Sequence, residues 1–283
     1  MAGMIHYEFY QYALLVAVGA LTGVLGGMLG IGGSIIMIPA MIWILGTFVG
    51  GHEQLQQYMA VAMIVNFLLS IPSVAAHARK KAIWPSVVKY IAPAGMIGAG
   101  IGVYISNQFT GDAVRYLRWF LGAFFVYVAV DTIVRMFLAG KSDGWDRGRV
   151  EAISWVPKAG AGLSVGVLAG MTGLGGGALA VPINQHWLKM PLRNAIANSS
   201  ALIVCVAAVT SLAKNATLSA ADGTVDRSLI LSACLAPTAM IGSYLGGHLT
   251  HTLPLRTVRL VFASLILASS WKMFAGLGEF IGF

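Results

Sequence analysis

A glycine-rich stretch that occurs twice constrains the fold of this chain more than any other feature. Gly23–Pro39 and Gly166–Pro182 align at a constant offset of 143 residues, and each lies inside a long apolar run. Three of the five residues in Gly30–Ser34 and four of the five in Gly173–Gly177 are glycine. Because each glycine costs a helix about 1 kcal/mol relative to alanine, these two stretches are expected to interrupt a helix.

A helix break inside an apolar run also predicts a chemistry. At membrane depth, freed backbone N–H groups are tolerated only where they are buried in protein or line a polar cavity. The helix that restarts at Ser34 or at Gly177 would direct its unpaired N–H groups and the positive end of its dipole into that space. Such a helix start is an anion-binding site. Two copies predict a substrate held between two halves of the protein.

Composition indicates a membrane protein. Of the 283 residues, 58% are hydrophobic and only 10% are charged, whereas about a quarter of the residues in a soluble globular protein are charged. The mean hydropathy is +0.80. The net charge of +8 does not indicate a nucleic-acid partner, because the basic residues lie in short loops between apolar runs. We therefore predict a polytopic protein in a lipid bilayer.

The apolar runs predict an all-α protein of two homologous halves. Residues 1–139 would form the N-terminal transmembrane half, 140–157 a polar cytoplasmic linker, and 158–283 the C-terminal transmembrane half. Each half is expected to contain a glycine-broken helix and a short helix, followed by three transmembrane helices. Such internal duplication is typical of secondary transporters. The predicted segments are 12–29, 35–45, 58–76, 85–106 and 114–138, and then 159–173, 178–188, 195–213, 228–250 and 257–277.

Two arrangements of the halves are open. If each break and its short helix form a re-entrant hairpin, the halves are inverted; if they form one broken crossing, the halves are parallel. We favour inverted halves, because two re-entrant loops that enter from opposite faces meet at the midplane. The positive-inside rule places the basic loop 79–81 in the cytoplasm. Inverted halves then put Lys189, Arg193, Arg256 and Arg259 inside and Lys214, Arg227 and Lys272 outside, and parallel halves exchange the two sets.

Polar side chains at membrane depth are further candidates. A buried amide or hydroxyl needs a partner, which is either another helix or a substrate. Asn198 and Ser199 are the stronger candidates for substrate contact, because they cluster shortly after a short helix, and Asn66 is the weaker one. The matching helix of the first half has Met63 and Ile64 opposite Asn198 and Ser199, which predicts that the C-terminal half supplies more of the polar contacts.

Other features favour structural roles. His77, which ends a helix beside a basic loop, is expected to be an interfacial side chain, with a proton relay as the alternative. Asp131 and Arg135 can pair on one helix, with a coupling or gating role as the alternative. The two cysteines are far from any metal-ligand spacing, and no nucleophile lies near a base, so we expect no metal, no cofactor and no enzyme. Glycines at four-residue spacing fit close helix packing, namely Gly19, Gly23 and Gly27, and Gly162, Gly166 and Gly170.

These residues resemble the TauE/SafE family of sulfite and organosulfonate exporters, a largely bacterial inner-membrane family. The resemblance rests on the two glycine stretches, on Asn198–Ser200 and on the two halves with a polar linker. It implies export of a small sulfur-containing anion, such as sulfite, sulfoacetate or a related sulfonate, by a homodimer. It also implies that backbone N–H groups at the breaks hold the anion, with side-chain bonds from Asn198 and Ser199. The backbone positions are Gly30, Gly32, Gly33, Ser34, Gly173, Gly175, Gly176 and Gly177.

Two alternatives remain at the level of sequence. One is a transporter of another small anion or of a neutral metabolite. The other is a non-transporting membrane scaffold or an intramembrane enzyme. A scaffold has no need of duplicated backbone breaks, and an enzyme needs a nucleophile or metal site.

Overall fold

The computed structural model describes residues 9–45, 52–108, 146–218 and 224–252, with isolated positions between 116 and 134 and at 254, 260 and 267. The described residues form helices and connecting turns, without a strand, as the sequence predicted. The predicted segments 114–138 and 257–277 lie almost entirely outside the described residues. The helices are α1 Phe9–Leu29, α2 Ser34–Ile44, α3 His52–Arg79, α4 Pro85–Asn107, α5 Arg147–Ala152, α6 Trp155–Thr172, α7 Gly177–His186, α8 Leu192–Ala216 and α9 Val225–Leu249.

Five of these helices contain a stretch long and apolar enough to cross a membrane. They are α1, α4, α8, α9 and the part of α3 from Leu55 onwards. Their bounds agree with the predicted segments to within a few residues, and the largest difference is at α3, which begins at His52 rather than near 58. The short helices α2 and α7 begin at Ser34 and Gly177, directly after the two glycine stretches.

The expected linker is partly helical. Its described portion begins at Asp146, whose carboxylate accepts a hydrogen bond from the N–H of Arg149 and so caps α5. The carboxylate of Glu151 on α5 accepts a hydrogen bond of 2.7 Å from Ser86, near the start of α4. The next helix, α6, already begins at Trp155, inside the range assigned to the linker. The helix α6 therefore starts a few residues earlier than the segment predicted from residue 159.

Glycines bring α1 against α9. A Cβ on Gly19 would lie 2.5 Å from the carbonyl oxygen of Leu235, and a Cβ on Gly27 would overlap the backbone of Ser243. Since residue numbers rise together along the contact, α1 and α9 run in the same direction. A residue larger than glycine at these positions would push the backbones apart. The predicted packing role of these glycines is confirmed.

A second pair of helices, α6 and α4, is joined in the same way. A Cβ on Gly162 would overlap the carbonyl oxygen of Ile91, and one on Gly170 would overlap that of Ala99. These two helices also run in one direction. Each broken helix thus packs on a helix from the other half of the chain.

Hydrogen bonds at the helix ends show the directions of the remaining helices. Gln57, near the start of α3, bonds to Ser228, near the start of α9. Gln56 also reaches the end of α4, where it donates to the carbonyl oxygen of Ser106 at 3.4 Å. Consequently α3 runs with α9 and against α4.

The helix α8 runs with α4. Its early residue Asn198 accepts a hydrogen bond from the N–H of Trp84, which precedes α4, and its late residue Lys214 donates to Ser106, near the end of α4. The six long helices therefore form two sets of opposite direction. One set contains α1, α3 and α9, and the other contains α4, α6 and α8.

Candidate functional site

Both glycine stretches adopt backbone conformations that glycine tolerates best. We call residues 30–33 break 1 and residues 173–176 break 2. In break 1, φ is +62° at Gly30 and +75° at Gly32; in break 2, it is +68° at Gly173, +70° at Gly175 and +75° at Gly176. An L-residue with a side chain costs about 1–2 kcal/mol in this left-handed region. The interruption of the helix at both predicted places is confirmed.

Break 1 contacts the start of α7, and each break packs on a helix from the other half of the chain. A Cβ on Gly177, the first residue of α7, would overlap the backbone of Ile31 in break 1. Gly30 packs on Ile196 of α8, and Gly173 packs on Met59 of α3, each at a distance below 3 Å from the position a Cβ would take. Break 1 therefore contacts a helix of the C-terminal half, and break 2 contacts a helix of the N-terminal half.

Asn66 of α3 lies between the two breaks. Its Oδ1 accepts a hydrogen bond of 2.7 Å from the N–H of Gly33, and its Nδ2 donates to the hydroxyl of Ser34. A Cβ on Gly175 would overlap Nδ2 of the same side chain. Asn66 is fully buried. The amide therefore touches break 1, the start of α2 and break 2 at once.

The two helix starts lack side-chain caps. The N-cap residues are Gly33 for α2 and Gly176 for α7, and glycine has no side chain that could accept a hydrogen bond from the first N–H groups of the helix. Within the described part of the chain, the N–H groups of Ser34 and Ile35 find no acceptor. Ser34 and Ile35 are both fully buried. Unpaired donors at the positive end of a helix dipole favour an anionic acceptor over a neutral one.

The hydrogen bonds of Asn198 and Ser199 go to residues outside the two breaks. Oδ1 of Asn198 accepts a hydrogen bond of 3.1 Å from Trp84 N–H, and its Nδ2 donates to the carbonyl oxygen of Asn194 at 2.7 Å. The hydroxyl of Ser199 accepts a hydrogen bond of 3.2 Å from Nδ2 of Asn184 on α7. Both side chains are fully buried and bonded to other parts of the protein. These contacts correspond to the alternative in which the buried polar side chains bond to the protein itself rather than to a substrate.

The contacts also change the pairing of the two halves. Met59 and Ile196 occupy matching places, because each packs on the first left-handed glycine of a break. Counting forward from that pair brings Asn66 opposite Ile203, whose side chain lies 2.5 Å from the position of a Cβ on Gly177. This alignment of contacts differs by two residues from the expected pairing of Met63 and Ile64 with Asn198 and Ser199. The polar side chain at the breaks comes from the N-terminal half.

The sequence did not predict that the side chain of Lys214 is buried. Lys214, in the last turn of α8, is only 1% exposed. Its Nζ donates to Gln56 Oε1 at 2.6 Å, to Ser106 Oγ at 2.7 Å and to Asn107 Oδ1 at 3.3 Å. All three partners are neutral. Because Lys214 lies at a helix end, its sequence position suggested a solvent-facing side chain. In the folded protein, residues of α3 and α4 enclose it.

His77 is also buried, contrary to the expectation of an interfacial side chain. It is fully enclosed at the end of α3, where its Nε2 lies 3.3 Å from the carbonyl oxygen of Gly27. Asp131 and Arg135 lie outside the described residues. Among the residues that are described, no group of three or more His, Cys, Asp or Glu side chains could hold a metal ion.

Comparison with known proteins agrees with this architecture. The family model described as sulfite exporter TauE/SafE matches residues 15–273. The chain is 26% identical to the probable membrane transporter protein YjnA of Bacillus subtilis, over 92% of this chain and 98% of YjnA. It is 24% identical to the probable membrane transporter protein MamO of Paramagnetospirillum magneticum, over 94% of this chain but only 45% of MamO.

The chain thus spans less than half the length of MamO and nearly all of YjnA. No solved structure matches. With five candidate membrane spans and a family match over most of its length, the chain belongs to the sulfite exporter TauE/SafE family and is a multi-pass protein of the inner membrane.

Proposed function

We propose that this transporter exports a small sulfur-containing anion, such as sulfite, sulfoacetate or a related organosulfonate, and that it binds the anion at breaks 1 and 2. The observation that carries the proposal is the meeting of two left-handed glycine breaks around Asn66, beside uncapped starts of α2 and α7. These backbone donors supply partial positive charge without a fixed cation. Such a site binds an oxyanion weakly enough to release it.

Asn66 suggests how the site fills and empties. In the structure, its Oδ1 occupies an acceptor position on the N–H of Gly33. An oxygen of the substrate would replace Oδ1 there, and the amide would turn to donate from Nδ2. The exchange keeps the N–H of Gly33 bonded in both states, which avoids the cost of about 1–3 kcal/mol for an unsatisfied buried group.

The energetics of export do not demand a coupling ion. Each helix start carries roughly half an elementary charge, so the two together offset about one negative charge. The inside-negative potential drives a monoanion outwards with about 2.3 kcal/mol per 100 mV. Outward movement is therefore downhill when the cytoplasmic concentration is not lower than the external one.

We further propose that the two halves are inverted in the membrane. The directions of the helices support this arrangement, because α1 and α3 run opposite to α6 and α8, their counterparts in the second half. A re-entrant hairpin is supported by the hydrogen bond of 2.9 Å from Gln11, near the start of α1, to the carbonyl oxygen of Ile44 at the end of α2. The homodimer that the family resemblance implies is part of the same proposal, and mass measurement of the detergent-solubilised protein tests it.

The proposal is tested by anion efflux from proteoliposomes that contain the purified transporter. Sulfite and sulfoacetate are compared with chloride, acetate and sulfate in matched vesicles. We expect flux of the first two that saturates with concentration and exceeds that of the other three. Equal flux of all five anions would favour an unselective anion transporter, and no flux above empty vesicles would favour a scaffold.

Variants of two buried asparagines locate the site. Asn66→Asp fixes a carboxylate against the N–H of Gly33, so we expect it to block sulfite flux by occupying the donors and repelling the anion. Asn66→Ala removes one donor and should weaken sulfite binding about tenfold, equivalent to about 1.4 kcal/mol. Asn198→Ala is the matched control, because Asn198 is equally buried and hydrogen-bonded elsewhere. If Asn198→Ala weakens binding as much as Asn66→Ala does, Asn198 belongs to the site.

A further inference from the structure

Two histidines beside break 1 each have a buried ring nitrogen without a partner. His77 lies at the end of α3, and His251 follows the end of α9; their rings meet edge to face with centroids 5.6 Å apart. Among the described residues, neither Nδ1 of His77 nor Nε2 of His251 has a hydrogen-bond partner. His77 is fully buried. Buried polar atoms are rarely left unpaired in proteins, so this pair of imidazoles points to a ligand.

The contact with Gly27 of α1 fixes the tautomer of His77. The carbonyl oxygen of Gly27 can only accept a hydrogen bond, so Nε2 of His77, 3.3 Å away, must carry the hydrogen. In the neutral ring, Nδ1 is then an acceptor that faces no donor. Protonation would convert Nδ1 into a donor, which a bound oxygen atom could satisfy. The protonated ring could therefore donate a hydrogen bond from Nδ1 to an oxygen atom of a bound oxyanion.

The surroundings of the pair are basic. The charged or titratable neighbours of the pair are His248 on α9, Lys80 directly after α3, and Arg193 on α8. Beside His248, Tyr244 accepts a hydrogen bond from Arg79 of α3. Across from it, α1 contributes the carbonyl oxygen of Gly27. Burial lowers the pKa of His251, and the positive charges of Arg193 and Lys80 lower it further. An anion beside the rings would reverse this electrostatic effect and favour protonation.

We propose that His77 and His251 form a second anion subsite, at the end of the bundle that carries Arg79 and Arg193, and that this subsite binds the oxyanion group of the substrate together with one proton. The inference rests on the proposed anion transport. Under the positive-inside rule this end is cytoplasmic, so the subsite is the first one that an exported anion meets. One imidazolium accompanies the anion, because two imidazoliums at 5.6 Å would repel each other.

The position of the subsite connects it to the breaks. His77 lies eleven residues beyond Asn66 on α3, about 16 Å along the helix. Its partner Gly27 belongs to the last turn of α1, immediately before break 1. Protonation and anion binding at His77 would therefore act on the helix end that leads into the break.

Linkage sets the direction of the pH dependence. Burial lowers the pKa of His251 without ligand, and a bound anion raises the pKa of the pair. Affinity should then increase as the pH falls through the pKa of the complex, and level off below the pKa of the free pair. Between those limits the dissociation constant should change by up to about tenfold per pH unit for one proton taken up.

The experiment uses methanesulfonate, whose single charge is constant between about pH 5.5 and 8, where imidazole titrates. Calorimetry on the purified transporter, in two buffers of different ionisation enthalpy, measures both affinity and the number of protons taken up. We expect about one proton per anion and tighter binding at low pH. In His77→Gln, the amide can still donate to Gly27, and in this variant and in His251→Gln we expect binding without proton uptake and without pH dependence.

His248→Gln is the matched control, because its ring packs on Tyr244 and lies outside the pair. It should retain proton uptake, with the pH profile shifted by the loss of a neighbouring titratable group. Binding of methanesulfonate without proton uptake by the unmodified protein would overturn the subsite and leave the proposed transport standing. Loss of proton uptake in His248→Gln to the same extent as in His77→Gln would also overturn it. No binding at any pH would contradict the proposed anion transport itself.

Discussion

Single glycines decide the geometry of the breaks, and they do so for two different reasons. At Gly175 and Gly176, φ is +70° and +75°, so any side chain is strained there. At Gly33 the backbone is right-handed, with φ of −96°, and an added Cβ would meet the flexible ends of Met37 and Leu69 at 2.9 and 3.1 Å. Gly33 is therefore the more replaceable glycine, although it stands at the start of α2.

The first prediction compares Gly175→Ala with Gly100→Ala. The alanine at 175 would combine left-handed strain of about 1–2 kcal/mol with a clash against Asn66 Nδ2, so both melting temperature and anion affinity should fall. Gly100 lies inside α4, and nothing is within 4 Å of its added Cβ. Gly100→Ala should raise stability by about 0.5–1 kcal/mol, the helix preference for alanine. Thermal unfolding in detergent and calorimetric binding check both.

Lys214 gives a second prediction at this scale. Replacing the ammonium by Lys214→Met leaves neutral acceptors unpaired, whereas Gln56→Leu leaves a buried charge without its closest acceptor. Hydrogen bonds to charged groups contribute about 1.5–3 kcal/mol, so Gln56→Leu should destabilise the protein more than Lys214→Met. Thermal unfolding of the two single variants measures the order. The reverse order would mean that the lysine is held neutral in the folded protein.

At the scale of elements, the helix pairs α1–α9 and α4–α6 depend on small residues. Lipid tails are as apolar as the helices, so association in the membrane comes from close packing rather than from apolar burial. The glycine rows allow backbone carbonyl groups of one helix to contact the other helix directly. Because each pair joins the two halves of the chain, these contacts also hold the two breaks together.

The third prediction concerns the α1–α9 pair. A Cβ on Gly23 would overlap the backbone of Ala239, which cannot move as a side chain can. We expect Gly23→Ala to destabilise the protein by about 1–3 kcal/mol, typical of overpacking, with anion affinity of the folded fraction unchanged. Gly160→Ala on α6, whose Cβ would meet nothing within 4 Å, is the control and should not lower the melting temperature. A binding defect without a stability defect in Gly23→Ala would place that glycine in the transport site instead.

At the scale of the whole molecule, the helix directions make a prediction about topology. With inverted halves, α5 faces the cytoplasm and the start of α9 faces the opposite side. Gly148 on α5 and Asp226 at the start of α9 are both exposed. In a background with Cys205 and Cys234 replaced by alanine, Gly148→Cys should react with an impermeant maleimide only in inside-out vesicles. Asp226→Cys should react only in right-side-out vesicles, and labelling of both from one side would contradict inverted halves.

Much of this architecture was readable from the sequence. Apolar length and low charge predicted membrane helices, and glycine density predicted the two breaks, in which five glycines have a positive φ. These features are local, because the cost of glycine in a helix and the length needed to cross a bilayer depend only on neighbouring residues. The four-residue spacing of Gly19, Gly23 and Gly27 likewise predicted that α1 packs closely on another helix, but it did not identify that helix as α9.

The tertiary structure alone decided which groups surround each buried polar side chain. Asn66 and Asn198 are both asparagines in apolar helices, and the sequence favoured Asn198; yet only Asn66 reaches the breaks, while Asn198 bonds to the residue that precedes α4. Lys214 and His77, both near helix ends, become buried because distant helices close over them. A side chain's surroundings depend on which elements pack around it, and that packing is set by contacts between residues more than a hundred positions apart.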